Sequence, residues 1–79
     1  MAVHRTPREV ADIIERFLNG TGGRWDWDDF CSLRIDDSAL DAVRIRCVDV
    51  HDEDPDPYQY CGPAGLETLS ALVSSLRKA

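Results

Sequence analysis

A chain of 79 residues has room for one small domain, and neither for a second nor for a deep cleft around a large cofactor. With 43% apolar and 30% charged residues it has the make-up of a folded globule, not of a disordered tail. A formal net charge of −6 disfavours nucleic acid and anionic membrane as partners, because both repel a field of that sign.

The charge is unevenly placed. Residues 1–25 and 57–79 each carry a net +1, whereas residues 26–56 hold ten Asp and one Glu against three Arg and carry −8. No apolar run approaches the roughly 18 residues of a membrane span. The opening Met1-Ala2-Val3-His4-Arg5-Thr6-Pro7 lacks the apolar core of a secretion signal. Cys31, Cys47 and Cys61 are odd in number and evenly spread, unlike a disulfide framework. These features lead us to expect a cytoplasmic protein with three thiols.

The first predicted element is a helix over 7–19. Thr6-Pro7-Arg8-Glu9 is a capping box with proline at the first helical position, where its missing N–H does no harm. Val10, Ile13, Ile14, Phe17 and Leu18 then form one apolar stripe, and Asn19-Gly20 suits a left-handed stop. Thr21-Gly22-Gly23 is a connection. Its glycines follow a helix instead of a strand and no Lys-Ser/Thr pair succeeds them, so the nucleotide-binding fingerprints fail. In Trp25-Asp26-Trp27-Asp28-Asp29-Phe30 a short helical turn near 26–31 turns Trp27 and Phe30 to the core and leaves Trp25 and the acids outside.

Residues 31–50 support two readings. Cys31, Leu33 and Ile35 alternate, as do Val43, Ile45 and Cys47, so a hairpin within 31–50 and an α+β fold are the alternative. Ser38-Ala39-Leu40-Asp41 reads instead as a capping box, with Leu40, Val43, Cys47 and Val50 at roughly helical spacing, and the alternation breaks at Cys47-Val48. The helix, over 38–51, is preferred. His51 to Tyr60 reads as a loop, because its prolines and like charges oppose regular structure. A last helix over 63–77 starts at Pro63 and carries Leu66, Leu69, Leu72, Val73 and Leu76 on one face. The fold expected is thus mostly α: a single small domain over 1–79 with three helices around Ile13, Ile14, Phe17, Val43, Cys47, Leu69, Leu72 and Leu76.

Most chemistry-bearing patterns fail on spacing. Asp52, Asp54 and Asp56 match the first ligands of a calcium loop, but Pro57 and Pro63 stand where glycine and glutamate are needed. Cys31, Cys47, Cys61 and His51 could ligate zinc, yet no two cysteines form a close pair. Cys61 precedes a helix N-terminus, a place that activates thiols, and with His51 it supports an alternative reading as a thiol-based enzyme or redox protein. Paired carboxylates of the glycosidase kind need a cleft that this length does not offer.

The segment Trp25-Asp26-Trp27-Asp28-Asp29-Phe30, with Leu40-Asp41-Ala42-Val43-Arg44 and Tyr60-Cys61-Gly62-Pro63-Ala64-Gly65-Leu66, resembles a group of small bacterial proteins without an established activity. That resemblance spans about Val10 to Leu76 and favours a helix after Ser38. In size and acidity alone the chain is similar to immunity proteins that neutralise toxins. The expected function is a non-catalytic acidic module, of the immunity kind, that binds a basic protein. Asp26, Asp28, Asp29, Asp52, Asp54 and Asp56 would steer the partner, and Trp25 and Tyr58 would anchor it. No catalytic residue, metal or cofactor is assigned. Self-association as a small structural protein is a further alternative.

Overall fold

The computed structural model describes residues 2–23 and 26–78. Four helices account for most of them: α1 (Pro7–Asn19), α2 (Asp26–Ser32), α3 (Ser38–Glu53) and α4 (Pro63–Lys78).

α1 begins as its capping box dictates. The Thr6 hydroxyl accepts from the Glu9 N–H at 3.2 Å, and the Glu9 carboxylate accepts from the Thr6 N–H at 2.9 Å. It ends at Gly20, whose φ of 69° is the left-handed conformation that glycine adopts without strain. α1 lies along α4, the largest contact between elements, while α2 packs against both α1 and α3. Near the end of α4, Arg77 donates to Asp12 at 2.9 Å and to Glu15, and so ties the two helices along their exposed side.

Asp37, not Ser38, caps α3: its carboxylate accepts from the Leu40 N–H at 3.0 Å. The expected capping box at Ser38–Asp41 does not form because Asp41 is engaged elsewhere. Its Oδ1 accepts from the Ile35 N–H at 2.9 Å and from Arg44 Nε at 2.7 Å. These bonds hold the Asp41 carboxyl below the usual carboxylate range, the Arg44 bond first and the Ile35 N–H second. Arg44 in turn donates to the Cys31 carbonyl at 2.7 Å, so one ion pair stitches the end of α2 to the start of α3.

The hairpin alternative does not form, because residues 43–47 lie inside α3. Among the described residues, strand-like pairing is limited to one isolated parallel bridge between Val3 and Ile35. There the Val3 N–H donates to the Arg34 carbonyl at 2.7 Å and the Asp36 N–H to the Val3 carbonyl at 2.9 Å. α3 also runs two residues beyond the expected end. His51, Asp52 and Glu53 are therefore helical, and the loop starts at Asp54.

The core contains Ile14, Cys47 and Leu69 as expected, but Ile13, Phe17, Val43, Leu72 and Leu76 are only half-buried. Val10, Ala11, Trp27, Phe30, Ile35, Leu40, Val50 and Cys61 complete it among the described residues. Phe17 and Trp27 stack at 3.9 Å between ring centroids, and Tyr60 meets both edge-on at 5.2 and 5.5 Å. This aromatic trio clamps α1, α2 and the segment before α4 together, a geometry that adds to simple area burial.

Candidate functional site

The structure divides the acidic residues into two groups. Asp26, Asp54 and Asp56 are turned onto the backbone. Asp26 accepts from the Gly23 N–H at 2.8 Å and closes the turn before α2. Asp56 accepts from the Tyr58 N–H at 2.8 Å. Asp54 accepts from the Gly65 N–H at 3.0 Å and thereby supplies the cap that α4 lacks in its own preceding residues, Gly62 and Cys61. For Asp54 a steering role gives way to a structural one. Asp28, Asp29 and Asp52 are exposed, and none has a Lys or Arg partner among the described residues, although Asp52 lies 3.4 Å from His51 Nδ1.

The two expected anchors fare differently. Tyr58 is 95% exposed and stands clear of the body. Trp25 lies outside the described residues.

Asp28 and Asp52, far apart in sequence, both line one shallow groove of about 190 Å³ between α2 and the last turns of α3. Trp27, Cys31, Val48, His51 and Tyr60 line it. The spacing of these residues follows from the helices. Asp28 and Cys31 are i, i+3 on α2, and Val48, His51 and Asp52 are i, i+3, i+4 on α3. Only the expectation of a loop from His51 onward hid this face from the sequence reading. A second cavity, of about 280 Å³, lies at the junction of α1 and α2, lined by Arg16, Phe17, Gly20, Gly23, Asp26 and Trp27 among others.

No family model matches the chain, and neither a curated protein nor a solved structure does.

The groove's polar groups are set by burial. The Tyr60 hydroxyl donates to the Cys47 carbonyl at 2.9 Å, and burial pushes its pKa well above the ordinary phenol value, so it stays a donor. Burial also raises the Cys31 thiol, and drives Cys47 from 9.0 to about 12. The His51 ring sits 4.9 Å from the Tyr60 ring, with Nδ1 3.4 Å from the Asp52 carboxylate. Trp27 is nine-tenths buried, and its indole N–H has no hydrogen-bond partner among the described residues.

Cys61, the basis of the alternative thiol chemistry, is fully buried. Its thiol is pushed up, first by burial and then by the nearby Asp54 and Asp56 charges, which is opposite to the shift that activates a nucleophile. Among the described residues no three His, Cys, Asp or Glu side chains gather closely enough to hold a metal ion.

Proposed function

We propose that the chain is a non-catalytic acidic binding module that captures a basic protein surface in the cytoplasm, in the manner of an immunity protein. One observation carries this reading. Two of the three arginines in the acidic middle third are used internally, Arg44 on Asp41 and Arg46 on Glu53, both at 2.7 Å, and the third, the exposed Arg34, does not balance its ten Asp and one Glu. Asp28, Asp29, Asp49 and Asp52 are left facing solvent. An excess of exposed charge of one sign raises the rate of encounter with an oppositely charged surface. The raised thiols of Cys31, Cys47 and Cys61 support a binding role over a nucleophilic one.

The test is capture from native cytosol by the tagged protein at low salt, with stepwise salt elution. A basic protein leaving at a defined salt step, and failing to bind an Asp28→Asn, Asp29→Asn, Asp52→Asn triple variant, is the expected result. Equal capture by the triple variant would overturn the proposal.

A further inference from the structure

We infer that the groove between α2 and α3 seats an arginine side chain of the basic partner, with its guanidinium between Asp28 and Asp52. This inference rests on the binding function proposed above and gives it a location. Three features of the groove select that occupant. Its volume, about 190 Å³, falls below the roughly 300–1,000 Å³ of small-molecule sites and suits one long side chain. Cys31 and Val48 in its lining offer apolar surface to an aliphatic stem, and the same lining holds two exposed acids, Asp28 of α2 and Asp52 of α3. A planar guanidinium presents donors to two carboxylates at once and can lie against the Tyr60 ring, whereas the compact lysine ammonium is a single point charge.

A separate observation points to a peptide as the bearer of that side chain. The Trp27 indole N–H is buried with no hydrogen-bond partner among the described residues, and the Trp27 ring meets that of Tyr60, another residue of the groove, edge-on at 5.5 Å. A buried donor without a partner is costly and seeks an oxygen. A main-chain carbonyl of the arriving segment would supply that oxygen if side chains at the groove shift on binding, as interface side chains commonly do.

The experiment is a titration of the ¹⁵N-labelled protein, at low salt and neutral pH, with the peptide acetyl-Gly-Arg-Gly-amide, read by amide and indole N–H resonances. Two peptides serve as comparisons, one with lysine and one with citrulline in place of arginine. Saturable shifts are expected at the Trp27 indole N–H, Cys31, Val48 and His51, strongest for arginine and absent for citrulline. Asp28→Asn and Asp52→Asn should each weaken binding about two- to fivefold, the range of a single exposed ion pair. Both positions are exposed, so the folded spectrum of each variant serves as its own control. Equal shifts with the citrulline peptide, or none at the groove, would overturn the inference. A hexa-arginine peptide added to the same samples separates the two levels. Shifts on the acidic surface outside the groove leave the binding module standing without this seat, and no binding at all removes both.

Discussion

Asp54 shows how one carboxylate can be mistaken for surface charge. It sits in the run Asp52-Glu53-Asp54-Pro55-Asp56, which reads as solvated, yet its side chain reaches eleven positions ahead to the Gly65 N–H. Nothing local marks such a bond, so the sequence offered no sign of it. Asp54→Ala should cost about 1 kcal/mol of unfolding free energy in urea titration, the usual loss for a helix cap. Asp54→Asn, which keeps the acceptor, should lose far less. If both variants instead keep full stability and slow partner association equally, Asp54 is a steering charge after all. The cysteines make a second residue-scale prediction. In the folded protein near pH 8, a thiol reagent should reach half-buried Cys31 first, and Cys47 and Cys61 only slowly. Cys47 has a folded pKa raised from 9.0 to about 12, so the stability it contributes is complete below pH 9 and is lost as the pH climbs from 9 toward 12. Urea midpoints across that interval should fall, and fall less in Cys47→Val.

At the level of elements, legibility followed locality. α1 was readable end to end because its cap, stripe and stop all lie within fifteen consecutive residues. α4 was nearly so, from Pro63 and its leucines. α3 was ambiguous because Val43, Ile45 and Cys47 alternate while Leu40, Val43, Cys47 and Val50 keep helical spacing, and the choice between them is made by tertiary contact. Cys47 and Val50 are buried, whereas Ile45 is left 47% exposed. Its start at Ser38 was legible, but its cap was misassigned, because Asp37 and Ser38 are both good caps and the Ile35 N–H claims Asp41. Ile35 itself was missed as core, since its burial depends on the Val3 bridge. Of the site, the exposed acids Asp28 and Asp52 were legible, but not their meeting across a groove, which required α3 to continue through His51. The packing of α4 yields a further prediction. A Cβ at Gly65 would stand 2.7 Å from Cys61 Sγ and 2.8 Å from its Cβ, with Val50 on the other side. Gly65→Ala, ordinarily favourable in a helix, should therefore destabilise by about 1–3 kcal/mol, the range for overpacked cores. A thermal midpoint at or above that of the parent would show that α4 can shift to make room.

For the molecule as a whole, the radius of gyration of 11.8 Å matches the about 12 Å of a compact chain of this length. Recognition uses the surface of the globule, where Asp28, Asp29 and Asp49 are exposed and outside the ion pairs of the described residues. Association with a basic partner should therefore slow as salt rises, and the triple Asp28→Asn, Asp29→Asn, Asp52→Asn variant should show a lower on-rate and a flatter salt dependence at unchanged thermal stability. Stopped-flow kinetics at several ionic strengths would measure this, and a variant with the parent's salt slope would remove electrostatic steering from the account.

The pairing of α1 with α4 has a topological consequence. Thr6 and Pro7, at the entry to α1, share a surface hollow with Leu76 and Arg77, at the exit of α4. The two ends of the helical body thus lie side by side, and the exposed loop around Pro57 and Tyr58 lies between α3 and α4, joining helices that also touch. Joining the ends with a short flexible linker and opening the chain at Tyr58 produces a circular permutant that keeps every helix and both of the ties that Arg77 makes. The order of the helices along the backbone is in that sense separable from the shape they build.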